Sequence, residues 1–188
     1  IDATFEGMVY AKPIVPPTRY GSWVKSVDDS RAKNVKGYQQ TLVLKDPSNT
    51  VPGWALVIAD SFHAAQRAER LITVEWDAGA TARVTEQDIL NRGAELIEGS
   101  SGSLVVEDGE VDATFVAADS VLSQTYTTST VLHFQLEPVN AIGLQKDGRW
   151  ELHTGNQWQS LILPTLAEAL EVPVEKVVDT IVVGRVIT

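Results

Sequence analysis

Five residues in the last third of the chain are of types and spacing that could do chemistry. His133 and Glu137 stand four apart, which puts both on one side of a strand or of a helix. An imidazole beside a carboxylate makes an acid–base pair. Asn156, Gln157 and Trp158 follow Thr154-Gly155 in a turn between a strand and a helix. Amide hydrogens at a helix N-terminus, with the Gln157 carboxamide, would hold an anion or an oxo group there. Each feature has a plainer reading. Glu137 would fix the Pro138 turn and His133 would be a satisfied inward residue, as buried polar groups usually are. The 154–157 turn would equally be an ordinary start of a helix. The residues alone favour the structural reading of the first pair and leave the second open; they contain no complete catalytic set.

The elements that must carry these residues read as a meander. Val131 to Leu136, Ala141 to Gln145 and Trp150 to Thr154 are apolar runs, and Lys146-Asp147-Gly148 between the last two is a strong hairpin signal, since Gly supplies positive φ. Ser160 to Leu170 has helical spacing, with Pro164 acceptable only in the first turn. Pro173 closes it, and Val177 to Val183 is a final strand.

Upstream, Phe5 to Val15 predicts an edge strand with an extended exit at Pro16-Pro17. Ser26 to Ser30 is expected to cap a short helix from Ala32 to Val35, ended by Gly37. Thr41 to Leu44 is a short β-branched run. Trp54 to Ala59, a helix Phe62 to Arg70 capped by Asp60-Ser61, and Leu71 to Trp76 predict a β-α-β unit with the helix on the sheet face. Thr85 caps a helix from Glu86 to Leu96. Gly99 to Ser103 reads as a linker, Asp112 to Ala118 as a short helix, and Ser120 to Thr128 as a half-buried strand.

At 188 residues and 44% hydrophobic content the chain buries a real core. A net charge of −10 repels phosphate backbones, and the fifteen Lys and Arg form no basic patch, so nucleic acid is excluded as a partner. Without cysteine there is no thiolate metal site and no cysteine nucleophile. His63 and His153 have no second ligand at useful spacing, so no protein-held metal is expected. No apolar run reaches the roughly 18 residues of a membrane span. The chain opens on Ile1, and the expectation is a processed product or an excised piece.

Three groups of motifs, taken in order, carry a resemblance. The first is Gly7-Met8-Val9-Tyr10-Ala11 with Pro16-Pro17, Ser26-Val27-Asp28, Val57 to Ala65 and Val74-Glu75-Trp76-Asp77. The second is Asp112-Ala113-Thr114-Phe115 through Asp119, then Tyr126 and His133 to Ala141. The third is Glu151 to Gln159 with Leu166 to Leu170 and Val172 to Val177. Together they resemble the large subunit of the molybdenum hydroxylases, the xanthine dehydrogenase and aldehyde oxidase family, in its isoquinoline 1-oxidoreductase-like and bacterial aldehyde dehydrogenase branch. The resemblance implies an α+β fold: an α/β hammerhead domain over 1–80, a linker with short helices over 81–118, and over 119–188 the mixed, largely antiparallel start of the molybdopterin-binding domain.

It also implies a molybdopterin cofactor, in its cytosine dinucleotide form, that holds molybdenum by its own sulfurs. Oxygen from water would be inserted into an aldehyde or N-heteroaromatic substrate. Electrons would leave through an iron–sulfur small subunit to a downstream acceptor. By motif position Gln157 is the cofactor-binding residue, hydrogen-bonding an oxo ligand, with Asn156 where the family has Thr; His133, Glu137, Asn156 and Trp158 are pocket lining. Val183-Gly184-Arg185-Val186 stands where the family has a glycine-rich loop, and the family's catalytic glutamate falls downstream of Thr188. The chain alone is therefore expected to be inactive and to hold no cofactor tightly. A non-catalytic binding or assembly module on the same scaffold is the alternative, with an unrelated ligand-binding α+β domain behind it. The resemblance is compatible with a periplasmic and with a cytoplasmic location.

Overall fold

The computed structural model describes residues 4–18, 21–44, 53–99, 102–106, 108–129, 138–155 and 158–181. It divides into two compact units, 1–83 with 135–188, and 84–134. The fold is α+β, and the described residues form small mixed and antiparallel sheets and four α-helices.

The core of the first unit begins with Ala55–Ala59 (β4), whose sequence ALVIA has no polar side chain to place on either face. It becomes the middle strand of an antiparallel sheet between Tyr10–Ile14 (β1) and Tyr38–Val43 (β3). Val57 and Ala59 are fully covered. The covering element is Phe62–Glu69 (α1), which starts where the Ser61 hydroxyl accepts from the Ala64 amide at 3.3 Å. Its Ala64, Ala65 and Ala68 pack with Val57, Ala59, Ala32 and Val35, ringed by Ile14, Tyr38, Leu71 and Ile72. With only methyl groups on that face, the helix backbone approaches the sheet closely.

The expected β-α-β unit does not form. Thr73–Asp77 (β5) pairs antiparallel with Trp23–Asp28 (β2) in a separate two-stranded ribbon. Both edges of β4 are already occupied by β1 and β3, so β5 cannot lie beside it. The ribbon also corrects the reading of Ser26 to Ser30 as a helix cap. Ser26-Val27-Asp28 ends β2, with the Ser26 hydroxyl donating to Glu75 Oε2 at 3.2 Å. Only one 3-10 turn, Ala32–Asn34, follows, without a side-chain cap. At the other end of the ribbon the Thr18 and Ser22 hydroxyls hydrogen-bond, and Thr18 Oγ1 donates to the Ala78 carbonyl at 2.7 Å.

Tyr38 ties the 3-10 turn to the sheet. Its hydroxyl donates to Asp29 Oδ2 at 2.6 Å, and Lys33 Nζ lies 3.0 Å from Asp29 Oδ1. The Tyr38 hydrogen bond, then Lys33, holds the Asp29 carboxyl below its ordinary range; burial, then Asp29, pushes the Tyr38 phenol up. A carboxylate whose pKa is lowered by folding stabilises the fold above its unfolded value and loses that contribution as pH falls through the folded one. Tyr38→Phe removes the largest cause, so the Asp29 pKa rises toward its ordinary value; the contribution becomes smaller and its loss is complete at higher pH. Carbon NMR of the Asp29 carboxyl against pH checks this; an unmoved midpoint would refute it.

Arg149–Thr154 (β7) pairs antiparallel with Ala141–Lys146 (β6), in register from Lys146↔Arg149 to Ala141↔Thr154. Asp147 and Gly148 both have positive φ, 50° and 72°, the two-residue turn whose twist matches the strands. On its other edge β7 pairs parallel with Val177–Ile181 (β8), so the sheet is mixed. Gln159–Ala169 (α4) makes the crossover. Pro164 lies beyond the first turn of α4, contrary to expectation. The neighbouring Thr165 hydroxyl donates to the Leu161 carbonyl at 2.8 Å, a back-bond that helices tolerate with a bend.

In the second unit, Glu86–Glu98 (α2) opens on a reciprocal cap. The Asp88 amide donates to Thr85 Oγ1 at 3.2 Å and the Thr85 amide to Asp88 Oδ2 at 2.8 Å. Val111–Ala117 (α3) follows; neither helix has a buried residue. Residues 120–129 form no strand and are exposed. Their alternation gives a two-sided segment, but among the described residues no neighbour supplies a ladder.

Candidate functional site

Of the five site residues expected from sequence, His133, Glu137, Asn156 and Gln157 lie outside the described residues. Trp158 is described. It is exposed and stands at the N-cap of α4, with φ −141° and ψ 67°. What the structure describes is the frame on which these stretches are mounted: residues 138–140 leading into β6, and the end of β7 leading through Gly155 to α4.

The two stretches are held together at their bases. Thr154, 7% exposed, closes β7 opposite Ala141. Its Oγ1 donates to the Asn140 carbonyl at 2.8 Å, and Asn140 Nδ2 donates to the Pro138 carbonyl at 3.1 Å. Pro138, Asn140 and Thr154 are therefore joined at one hydrogen-bonded point. Sequence reading placed Thr154 in the 154–157 turn and gave its hydroxyl no role.

His153, read from sequence as a lone residue, has company on the other face of β7. Its Nε2 is 3.5 Å from Glu151 Oε2, and the Phe5 ring lies 6.1 Å away, centroid to centroid, tilted by 43°. The imidazole and the carboxylate do not align as a hydrogen bond, and among the described residues the buried Nε2 has no hydrogen-bond partner. Among the described residues no three His, Asp or Glu side chains converge to hold a metal. The donors the frame offers are amide hydrogens at the start of α4, suited to an oxygen acceptor.

Comparison with known proteins gives the context. Residues 97–184 match the molybdopterin cofactor-binding domain family. Over 179 residues the chain is 52% identical to the membrane-bound aldehyde dehydrogenase [pyrroloquinoline-quinone] of Gluconacetobacter polyoxogenes, covering 95% of this chain and 23% of that protein. It is 29% identical over 125 residues to the aldehyde oxidoreductase molybdenum-binding subunit PaoC of Escherichia coli K12, covering 65% and 16%. Among solved structures, the aldehyde oxidoreductase of Desulfovibrio gigas superposes with a TM-score of 0.66 at 16% identity, over 95% of this chain and 23% of that one. The quinoline 2-oxidoreductase of Pseudomonas putida 86 gives 0.63 at 17%, over 96% and 27%. The chain thus spans about a quarter or less of the length of these proteins. Among the described residues no helix is long and apolar enough to cross a membrane.

Proposed function

Since the chain belongs to the xanthine dehydrogenase and aldehyde oxidoreductase family, we propose that it is part of the large subunit of a molybdopterin-dependent oxidoreductase acting on an aldehyde or an N-heteroaromatic compound. The observation that carries this reading is the 52% identity to an aldehyde dehydrogenase along 95% of the chain, with the cofactor-binding match over 97–184.

The domain assignment follows the resemblance: 1–80 is the α/β hammerhead, 81–118 a linker, and 119–188 the opening of the cofactor-binding domain. The chemistry of the frame fits the cofactor. A chain without cysteine and without a metal-ligating cluster among the described residues suits a metal carried on the pterin's own sulfurs. When bound, the molybdopterin supplies oxidation of the substrate carbon with oxygen taken from water. The part of this chain is to hold and orient. By motif position Gln157 would donate a hydrogen bond to the cofactor, and the first amides of α4 would offer further donors. By the same resemblance His133, Glu137, Asn156 and Trp158 would line the pocket. The cofactor is in its cytosine dinucleotide form. An iron–sulfur small subunit takes the electrons on to a downstream acceptor. This chain alone does not turn over, because a base and the rest of the cofactor contacts are supplied elsewhere in the subunit.

One relative bears pyrroloquinoline quinone in its name, which sets a second cofactor reading against this one. Metal analysis and cofactor extraction on the full-length protein decide between them. One molybdenum per protein, a released pterin dinucleotide and aldehyde oxidation that incorporates labelled oxygen from water are the expected results. Quinone without molybdenum would overturn the cofactor assignment, and neither cofactor with no turnover would leave a binding module. The isolated 188-residue chain is expected to carry no stoichiometric molybdenum.

A further inference from the structure

We propose that the uncovered face of α2 is a docking surface for a segment of the same large subunit lying outside residues 1–188, and that this segment presents large apolar side chains flanked by Lys or Arg. The inference rests on the reading of the chain as part of a larger subunit.

The helix is patterned for contact on one side. At about 100° per residue, Ile89, Leu90, Gly93, Leu96 and Ile97 share a sector roughly 120° wide, the width with which a helix faces a core. The opposite side is polar and already satisfied. Gln87 Nε2 donates to Asn91 Oδ1 at 2.9 Å, and Arg92 Nη1 donates to Glu95 Oε2 at 2.9 Å. Yet the apolar sector is bare: Ile89 is 61% and Ile97 82% exposed, and α2 buries no residue. A contiguous apolar patch of this kind marks a contact surface.

Gly93 adds an independent sign. Glycine weakens a helix interior relative to alanine, and a Cβ there would meet nothing within 4 Å. No neighbour among the described residues requires it. At the middle of the apolar sector it lets a partner come close to the helix axis.

Charge and length select the occupant. Residues 84–134 hold nine Asp and Glu against Arg92 alone, so they carry eight of the ten net negative charges of the chain. Like charges brought face to face oppose a second copy here. A helix lying on a membrane surface has Lys and Arg on its polar face; this one is acidic. The relative that is 52% identical is matched over 23% of its length, so a subunit of that size has about three quarters of its polypeptide left to cover α2. A surface that resembles a core cut in two belongs to a permanent contact.

The test uses the full-length protein with the photoreactive residue p-benzoylphenylalanine in place of Ile97. The expected result is a link that runs at single-chain mass on a denaturing gel and that mass spectrometry maps to a peptide outside residues 1–188. Links confined to residues 1–188, links to a second copy or to a separate subunit, or no link at all overturn the proposal. Gly93→Ala gives a second readout whose sign differs between the two cases. Helix propensity alone predicts slower amide exchange over residues 90–98. A docked face predicts exchange faster by about tenfold, because the added methyl group intrudes on the contact; slower exchange overturns the proposal. Asn91→Asp, on the polar side, is the control and is expected to leave exchange within about twofold. A control that speeds exchange equally marks general loosening and also overturns it. Molybdenum measured on the same preparation separates this from the cofactor reading. A mapped link in a protein without molybdenum keeps the docking surface and overturns the cofactor assignment; one molybdenum per protein without such a link does the reverse.

Discussion

Replacing Gly79 by alanine lowers the stability of the first unit by about 2–5 kcal/mol, the sum of a left-handed backbone cost and an overpacking cost. Gly79 has φ +69°, and a Cβ built on it would stand 2.2 Å from the Gly21 carbonyl oxygen and 2.7 Å from its carbon. Both are backbone atoms, so no side chain can swing away. Nor can the two loops part freely. Thr18 Oγ1 holds the Ala78 carbonyl at 2.7 Å, and the Gly79 amide donates to Asp77 Oδ1 at 3.0 Å. Gly148→Ala is the control: φ is +72° there, but a Cβ meets nothing within 4 Å, leaving about 1 kcal/mol of backbone cost. Denaturant unfolding of both variants gives the comparison. Equal losses would show that the Gly21–Gly79 approach contributes nothing.

Ala65→Leu is expected to cost about 3 kcal/mol, at the upper end for forcing extra methylenes into a packed core. Ala65 is fully buried in the face of α1 that packs with Val57 and Ala59. Three added carbons must displace either the helix or the middle strand, and β4 is pinned on both edges by β1 and β3. The helix therefore lifts, and Ala64 and Ala68 lose contact with it. His63→Leu, on the exposed side of the same helix, changes stability by no more than about 0.5 kcal/mol. Thermal unfolding separates the two; a tolerated Ala65→Leu would mean the core has space that the burial of its alanines does not indicate.

How far the sequence carries the fold differs from element to element, for physical reasons. Local signals were legible. Ser61 and Thr85 cap α1 and α2 through their own side chains, and Asp147-Gly148 sets the β6–β7 turn. That turn even fixes the register: pairs counted outward from it arrive at Ala141↔Thr154, which places Asn140 beside Thr154. Long-range pairings were not legible. Nothing in Thr73–Asp77 names β2 as its partner; the choice depends on which edges are free after β1, β3 and β4 have joined. Ser26-Val27-Asp28 misled because serine and aspartate before an alanine are cap residues in one context and strand-end residues in another. Residues 120–129 show the limit of alternation, which describes two faces and not a partner. For the site, the resemblance singled out Gln157 by motif order, whereas the Thr154–Asn140 bond emerged only from geometry.

The mixed pairing of β7 has a consequence for synthesis. Its antiparallel partner β6 precedes it across a two-residue turn, so that hairpin can close as soon as Thr154 is free of the ribosome. Its parallel partner β8 comes about 25 residues later, after α4. At typical elongation rates β7 then waits for roughly 1–5 s with one edge of N–H and C=O groups bare. Bare strand edges recruit other chains. In this interval the nascent chain is exposed to mispairing at the free edge of β7.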